Sequence, residues 1–336
     1  SMGRPAWKEA REWIQHIFGQ FSSEDIDNPQ LFWDASYHIE DVVLRMPVEI
    51  PNYTDFYSSD HHARNVGMIF RGSDELMPNW KQIPIGYHGR ASSIVLSGEG
   101  VRRPQGMILD GDQPTFKASE KVDFELEMGF LIGPSTELGK PVSTDEAMNH
   151  IFGMVLVNDW SARDIQKFEY QPLGPFTSKT WASSISPWII TMEALEAFKT
   201  DSRVQDPEPA DYLQRSENFT FDIHLEAELN GHPISKTNFS ELYWAMEQQL
   251  AHHTVTGCNL KTGDLLASGT ISGSQVGTYG SMLELSWNGE QLLSLPDGET
   301  RTFLQDGDEI TLRAHCEKGH QKISFGEVRN RLISTT

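Results

Sequence analysis

The sequence contains few cysteines and few basic residues, and each shortage excludes a class of protein. It has two cysteines, Cys258 and Cys316, which are too few for the disulfide framework of a small secreted domain and suit a reducing compartment. It has 27 Lys and Arg against 48 Asp and Glu, for a formal charge of −21. Nucleic acids and anionic membranes bind basic surfaces. The sequence therefore predicts a cytoplasmic protein that binds a small molecule or another copy of itself.

The sequence also lacks the common signatures of membrane spans and of catalytic nucleophiles. No apolar run is long enough for a transmembrane helix, and no signal peptide is recognisable. The stretch Gly269–Gly273 reads GTISG, which is not the G-x-S-x-G elbow of serine hydrolases. A P-loop, a dinucleotide fingerprint and an H-E-x-x-H zinc motif are missing too. Hydrolytic chemistry would therefore need a metal ion and a general base, and no organic cofactor is expected.

The local patterns predict one β-rich α+β domain with few helices. In the last third of the chain, short apolar runs are separated by Asn-Gly and Asp-Gly pairs, which are hairpin turn signals; they begin at Asn230, Asn288, Asp297 and Asp306. A first helix is predicted near the N-terminus, where apolar residues recur at helical spacing, namely Trp7, Ala10, Ile14, Ile17, Phe18 and Phe21. Residues 52–65 and 104–121 are rich in polar and turn-forming residues and are predicted to be loops.

Acidic residues alternate with apolar ones in the stretch DFELEMGF. Strand periodicity places Asp123, Glu125 and Glu127 on one face. Asp159 follows the apolar run 154–157, which is short enough for a buried strand. Such a row of carboxylates either faces bulk water or holds a cation, and an all-oxygen ligand set suits Mg²⁺ or Ca²⁺. We favour the cation, with Asp159 completing the set.

A polar helix face is predicted directly after Asp159. Arg163, Gln166 and Tyr170 fall at i, i+3 and i+7, so three hydrogen-bonding side chains share one side of a short helix. A solvated surface helix is the common alternative for such a pattern. The nearby acidic row favours a ligand-facing helix instead. Tyr87 lies in the glycine-punctuated stretch GYHGRASS, where the backbone can approach a ligand closely.

Five stretches carry a resemblance to a known family: YTDFYSSDHHARNVG, GYHGRASSIV, DFELEMGFLIG, NDWSARDIQKFEYQPLGPF and LLASGTISGS. Together they resemble the fumarylacetoacetate hydrolase family from about residue 50 to the end, and the first fifty residues match more loosely. The resemblance implies a mixed β-sandwich roll and a homodimer. It also implies a catalytic domain over residues 51–336, with residues 1–50 as a helical lead-in and without the small N-terminal β domain of longer members.

The resemblance further implies a role for each site residue. The ligands of a divalent cation, Mg²⁺ or Ca²⁺, would be Asp55, Glu125, Glu127 and Asp159. Lys179 and Ser183 match a second, peripheral cation site, where Ala182-Ser183 departs from the family's usual Gly-Thr. His62 would be the general base and Glu284 its orienting partner. The oxyanion would be stabilised by Arg163, Gln166 and Lys179. Substrate contacts would come from Tyr57, Arg71, Tyr87, Gln166, Tyr170 and Thr270.

The implied reaction is hydrolysis of the carbon–carbon bond of 4-fumarylacetoacetate to fumarate and acetoacetate, the last step of tyrosine and phenylalanine degradation. The cation with the Arg, Gln and Lys side chains would stabilise the oxyanion and the enolate. Two alternatives remain open. An acylpyruvate hydrolase or oxaloacetate decarboxylase of the same superfamily would share the metal acids but generally lacks the set Tyr57, Tyr87 and Tyr170. An inactive, metal-stabilised homodimer would have no need of His62 and Glu284.

Overall fold

The fold is described here from a computed structural model that covers residues 2–19, 30, 34 and 36–335. No helix in those ranges is long and apolar enough to cross a membrane. In the same ranges the α-helices are α1 (Arg4–Gly19), α2 (Asp60–Arg71), α3 (Thr144–Ala147), α4 (Arg163–Glu169), α5 (Met192–Leu195), α6 (Met246–Thr254) and α7 (Met282–Leu285). Short 3₁₀ turns cover Ile39–Asp41, Ala91–Ser93, Glu196–Phe198, Asp211–Leu213 and Phe239–Glu241.

Strands outnumber helices in the described ranges. They are β1 (Tyr53–Phe56), β2 (Gly86–Gly89), β3 (Ile94–Leu96), β4 (Gly100–Arg102), β5 (Gln105–Asp110), β6 (Gln113–Ala118), β7 (Val122–Asp123), β8 (Leu126–Ile132), β9 (Ile151–Asp159), β10 (Ser161–Ala162), β11 (Ser183–Ile185), β12 (Ile190–Thr191), β13 (Lys199–Asp201), β14 (Phe219–Phe221), β15 (His224–Leu229), β16 (His232–Asn238), β17 (Leu265–Ala267), β18 (Leu293–Ser294), β19 (Thr300–Arg301), β20 (Glu309–Lys318) and β21 (Gln321–Ile333). The predicted β-rich α+β class is confirmed.

Two large sheets share the main hydrophobic core. The first has the order β2-β1-β17-β8-β9-β11-β3, with β12 also paired to β9, and the second has the order β16-β15-β20-β21-β4. Both sheets are mixed, because β1 runs parallel to β17 and β21 runs parallel to β4. Side chains from both sheets, among them Met128, Phe130, Leu312 and Val328, are buried in one cluster. Removal of this apolar surface from water is the main source of stability.

The first sheet brings polar strand ends together at one place. Strand β8 runs antiparallel to β9 with Leu126 opposite Asn158, so the start of β8 lies beside the end of β9. Strand β1 runs parallel to β17, with Asp55 opposite Ala267. The chain leaves β17 through Gly269, whose φ is +78° and where a Cβ would collide with the carbonyl oxygen of Phe56. Glycine is therefore required for this close approach.

Both predicted loops contain regular structure, so those two predictions are wrong. Residues 53–56 form β1, and residues 60–71 form α2. Ser59 caps α2 by accepting a hydrogen bond from the backbone N–H of His62, which is a strong helix start signal. Residues 105–118 form the β5–β6 hairpin, in which Asp110 pairs with Gln113 at the turn and Ile108 packs against Ile165.

The turn and helix signals had mixed outcomes. The hairpins predicted at Asn230 and Asp297 are confirmed, since they join β15 to β16 and β18 to β19. Those predicted at Asn288 and Asp306 are wrong, because the first follows α7 and the second joins β19 to β20, which pair with different strands. Helix α1 is confirmed from Arg4 to Gly19, and Phe21 lies outside the described residues.

Candidate active site

Four carboxylates meet at the strand ends of the first sheet. The side chains of Asp55, Glu125, Glu127 and Asp159 are buried, and each offers an oxygen within 4.8 Å of the others. Asp123 does not join them, because β7 ends at Asp123 and the strand alternation is broken before β8 begins at Leu126. The prediction that Asp123 shares the acidic face is therefore wrong. These four buried acids are called the acidic cluster below.

Two cations lie against the acidic cluster. The Nζ of Lys179 lies 2.6 Å from Oε2 of Glu125 and 2.8 Å from Oδ2 of Asp159. The Nη2 of Arg163 lies 2.7 Å from Oε1 of Glu125. Arg163 is also paired with a fifth buried acid, Asp123, so five carboxylates face two cations and three formal negative charges are uncompensated. Buried charge is strongly unfavourable unless it is paired, so the cluster is suited to a further, divalent positive charge.

The pKa values in the cluster differ according to the nearest cation. Burial, followed by the charge of Asp159, raises the pKa of Asp55 well above its usual value. Burial, followed by the charge of Asp55, does the same to the pKa of Glu127. Burial also acts to raise the pKa of Glu125, but Lys179 and Arg163 outweigh it and the pKa falls far below its usual range. Glu125 is therefore the acid that its own cations keep ionised.

Two oxygens of the cluster have no hydrogen-bond partner among the described residues. They are Oδ1 of Asp55 and Oε1 of Glu127, and both are buried. Tyr87 donates to the other oxygen of Asp55, at 3.1 Å, and to Oδ2 of Asp159, at 2.8 Å. Carboxylate oxygens are the ligands that hard divalent cations prefer. The donor set and its orphaned oxygens therefore fit a metal ion, and the buried acidic cluster can bind one.

A histidine and a glutamate form a buried pair next to the cluster. The Nδ1 of His62 lies 2.7 Å from Oε2 of Glu284, and both side chains are almost fully buried. Burial acts to raise the pKa of Glu284, but the charge and hydrogen bond of His62 reverse this effect and lower it. The ionised carboxylate can only accept, so Nδ1 carries a proton, and in the neutral imidazole Nε2 has a free lone pair. The pair thus has the form of a base with its orienting acid.

Helix α4 holds two of the three predicted oxyanion groups, Arg163 and Gln166. The Nη1 of Arg163 donates to Oε1 of Gln166 at 3.1 Å, which confirms that the two share one helix face. The Nη2 of Arg163 is buried and forms an ion pair with Oε1 of Glu125. The guanidinium is therefore held in the site with its charge next to the acidic cluster.

Sequence reasoning missed the role of Asp123. Its carboxylate is fully buried and accepts from Nε of Arg163 at 2.7 Å. It also accepts from the backbone N–H groups of Met282 and Leu283, at 2.6 and 3.0 Å, at the start of the helix that carries Glu284. Asp123 therefore links Arg163 to helix α7, which carries Glu284.

We expect Asp123→Asn to lower the free energy of unfolding by about 3 kcal/mol, because breaking a buried ion pair costs roughly that much. The amide of the introduced Asn would also place its own N–H group against N–H donors that now bond to the carboxylate of Asp123. Urea unfolding of both proteins measures the difference. The control is Asp164→Asn, which changes a neighbouring half-buried acid that contacts Ser119 and not Arg163. A loss below about 1 kcal/mol would contradict this assignment.

The predicted substrate residues fall into two groups. Tyr57, Tyr87 and Thr270 lie inside the site. Tyr57 packs edge-on against His62 with ring centres 5.4 Å apart, and the buried Thr270 hydroxyl has no partner in the part of the chain that the structure describes. Arg71 and Tyr170 are exposed at the ends of their helices. Nη2 of Arg71 donates to the Glu75 carbonyl, and the Tyr170 hydroxyl accepts from the amide of Gln171. Their roles stay predictions.

The second cation site also stays a prediction. Lys179 Nζ and Ser183 Oγ both bond to Asp159, the latter at 3.1 Å from Oδ1. Ser183 is the first residue of β11 and lies opposite Asp159 in the sheet register. Ser183 therefore supports the acidic cluster from β11, the neighbouring strand, and Lys179 supports it from the turn before that strand.

Comparisons with known proteins agree with this geometry. Residues 52–333 match the family model described as fumarylacetoacetate (FAA) hydrolase C-terminal. The chain is 50% identical to a fumarylacetoacetase of Caenorhabditis elegans, over 99% of this chain and 82% of the relative. It is 47% identical to a fumarylacetoacetase of Homo sapiens, over 99% of this chain and 81% of the relative.

Solved structures show the same fold. A fumarylacetoacetate hydrolase from Exiguobacterium antarcticum superimposes with a TM-score of 0.55 at 20% identity, over 96% of this chain and 87% of that one. A 5-carboxymethyl-2-hydroxymuconate delta-isomerase from Mycobacterium smegmatis gives a TM-score of 0.54 at 19% identity, over 89% and 85% of the two chains. These structures confirm the predicted fold, and the curated relatives confirm the hydrolase class. Because the family model and the curated relatives cover nearly the whole chain, the protein belongs to the fumarylacetoacetate hydrolase family.

Proposed function

We propose that the protein is a metal-dependent carbon–carbon hydrolase that cleaves 4-fumarylacetoacetate to fumarate and acetoacetate. The observation that carries this proposal is the buried pair His62–Glu284 beside a buried acidic cluster with orphaned oxygens. The pair provides a base, and the cluster provides a metal-binding site. The most similar relatives described above are named fumarylacetoacetases. Residues 51–336 form the catalytic domain in this proposal.

His62 removes a proton from the attacking water. Its Nδ1–H is fixed on Glu284, so Nε2 takes the proton, and the water oxygen forms a bond to the ketone carbon of the fumaryl group. The carbon–carbon bond to the acetoacetyl group then breaks. Its electron pair stays with the acetoacetyl carbon, which accepts a proton to complete acetoacetate. The carboxylate of Glu284 stabilises the imidazolium that forms between these two steps.

Arg163, Gln166 and Lys179 stabilise the negative charge that develops on the substrate oxygens. The guanidinium of Arg163 and the ammonium of Lys179 are buried and fixed by their carboxylate partners before substrate arrives, so little reorganisation is needed. A Mg²⁺ or Ca²⁺ ion bound to the acidic cluster would polarise the diketone oxygens as a Lewis acid. Lys179 also carries enough ion pairing to raise its pKa, despite burial, so it stays protonated.

The two ends of the substrate need separate anchors, because each carries a carboxylate. We assign the fumaryl end to Arg71, Gln166, Tyr170 and Thr270, and the acetoacetyl end to Tyr57 and Lys179. The guanidinium of Arg71 suits a carboxylate since it donates two parallel hydrogen bonds. Arg71 is exposed and weakly held by one carbonyl, so it is available to a ligand. Tyr87 contributes from the cluster side through its hydroxyl group.

The proposal extends to assembly and location. We infer a homodimer, which light scattering at micromolar concentration tests: a mass of about 38 kDa for the particle would contradict it. We place the enzyme in the cytoplasm, where two unpaired cysteines remain reduced. Its reaction would complete tyrosine and phenylalanine degradation.

An isotope experiment tests the reaction itself. The enzyme is incubated with 4-fumarylacetoacetate and Mg²⁺ in ¹⁸O-labelled water, and the products are separated before mass spectrometry. Attack at the fumaryl ketone predicts one ¹⁸O in the new carboxylate of fumarate. Labelled malonate, which attack at the other ketone would give by cleavage of the bond between the two ketones, or release of CO₂ without fumarate, would contradict the proposed reaction.

A further inference from the structure

The two oxygens of the Glu284 carboxylate have different partners. Oε2 receives three hydrogen bonds: from His62 Nδ1 at 2.7 Å, from Ser281 Oγ at 2.8 Å and from Ser272 Oγ at 2.9 Å. Among the described residues Oε1 receives one, from Nδ2 of Asn65 at 2.8 Å. Because this carboxylate is buried, no solvent can replace a donor that is lost. The orientation of Oε1 therefore depends on Asn65.

Asn65 and His62 are placed by the same helix. They lie at i and i+3 of α2, so their side chains emerge from one face and reach the two oxygens of one carboxylate. The start of α2 is fixed because Ser59 accepts from the N–H of His62. Asp60, the first residue of α2, is held by two hydrogen bonds from Arg203. The distance between the base and Asn65 is thus set within one rigid element.

We propose that Asn65 is a positioning residue that clamps the Glu284 carboxylate, so that His62 keeps its proton on Nδ1 and presents a bare Nε2 to the attacking water. The inference rests on the proposed function and assigns a new residue to its base. Without the amide, the carboxylate keeps its three donors on Oε2 but can rotate about them. The imidazole proton is then no longer directed to a single position.

The charged and titratable surroundings of Glu284 define what a substitution changes. His62 faces it from α2, and Tyr57 and Tyr279 lie near enough for its charge to raise the pKa of each, in both cases after burial. Glu125 lies on the other side of His62 and is held by Lys179 and Arg163. Asn65 is therefore an uncharged contact of Glu284. Its replacement by Asp keeps the size of the side chain and introduces a group that can become negatively charged.

Three variants separate positioning from simple support of the fold. Asn65→Ala removes the donor, and Asn65→Asp keeps the shape but offers a carboxyl group. Asn238→Ala is the matched control, because its half-buried amide also donates to a carboxylate, that of Asp222 at 2.7 Å. Metal-induced change in melting temperature is measured for all three, since the clamp does not contact the acidic cluster.

For Asn65→Ala we expect kcat to fall by about 10- to 100-fold, the usual cost of losing the partner that orients a functional group. KM and the metal-induced stabilisation should stay within about twofold of wild type, the usual scatter for a remote change. For Asn65→Asp, the protonated carboxyl can still donate to Oε1, whereas the ionised form repels it. The ratio of variant to wild-type kcat should therefore fall as pH rises.

Nuclear magnetic resonance detects the tautomer of the His62 ring independently of catalysis. The protein has 12 histidines, and ¹⁵N-histidine labelling with a His62→Gln reference identifies the His62 ring. Wild type should show Nδ1 protonated and Nε2 bare, and Asn65→Ala should show a mixture of tautomers. If wild type failed to hydrolyse fumarylacetoacetate, the proposed function would be wrong. The tautomer measurement would still test the role of Asn65, because it does not require turnover. An unchanged tautomer, or a kcat ratio that is flat with pH, would overturn the inference.

Discussion

His62→Ala is expected to lower kcat by about 10²- to 10⁴-fold, the usual contribution of a positioned general base. The imidazole is buried and its Nδ1 is fixed on Glu284, so no other described side chain can take its place at the same position. The four acids of the cluster are untouched by the change. Stabilisation by Mg²⁺, measured as the shift in melting temperature, should therefore be retained.

The neighbouring histidine provides a matched control for this variant. His61 lies on the same helical turn, but its Nε2 faces Glu241 at 3.5 Å and is directed away from Glu284. His61→Ala should therefore leave kcat within about twofold, as is usual for a surface change away from the site. A His62→Ala enzyme that kept wild-type kcat and pH dependence would move the base to another group.

Removal of divalent cations is expected to have the second large effect, on both turnover and melting temperature. Chelation should abolish turnover and lower the melting temperature, because the uncompensated charges of the acidic cluster then repel one another. A cation present at 100 times its Kd stabilises the folded state by about 2.7 kcal/mol. Differential scanning calorimetry with EDTA, Mg²⁺ or Ca²⁺ measures the shift and ranks the two ions.

The pH dependence of the metal-free protein follows from the same acids. Burial is the largest cause of the raised pKa of Asp55 and of Glu127 in the folded protein. Between the unfolded and folded pKa values the folded state binds more protons, so stability falls as pH rises through that window. We expect the metal-free melting temperature to fall as pH rises above about 4, the usual pKa of an unfolded carboxyl group, and bound cation to reduce the fall. Full activity and an unchanged melting temperature in EDTA would contradict the metal site.

Several site elements follow from local patterns in the sequence. The apolar run ending at Asp159 predicted a strand that delivers this acid, and the spacing of Arg163 and Gln166 predicted a shared helix face. Glu125 and Glu127 belong together in the structure as alternation suggested. In each case the signal extends over a few neighbouring residues, so periodicity alone can detect it.

Other elements depend on contacts that are distant in sequence. Asp123 follows the strand alternation but bonds to Arg163 and to residues 282 and 283, and no local pattern encodes that partner choice. The helix bearing His62 was missed because polar groups dominate its first turn, although Ser59 is a good N-cap. Asn65 lies three residues from His62 and could have been found from helix geometry, whereas Ser272 and Ser281 could not.

The comparison of three substrates tests the central claim most directly. Values of kcat/KM are measured for 4-fumarylacetoacetate, acetylpyruvate and oxaloacetate with Mg²⁺, using wild type, Arg71→Ala and the control Arg64→Ala. Arg64 is a matched control because it lies on the same helix as Arg71 and its guanidinium also donates to a loop carbonyl. Each buried anchor that a smaller substrate leaves unpaired, such as the Thr270 hydroxyl, costs about 1–3 kcal/mol, so wild type should prefer fumarylacetoacetate. Arg71→Ala removes the exposed guanidinium assigned to the fumaryl carboxylate and should narrow this preference, whereas Arg64→Ala should retain it. Equal turnover of acetylpyruvate or oxaloacetate by wild type, or a ranking unchanged by Arg71→Ala, would contradict the assignment of the substrate.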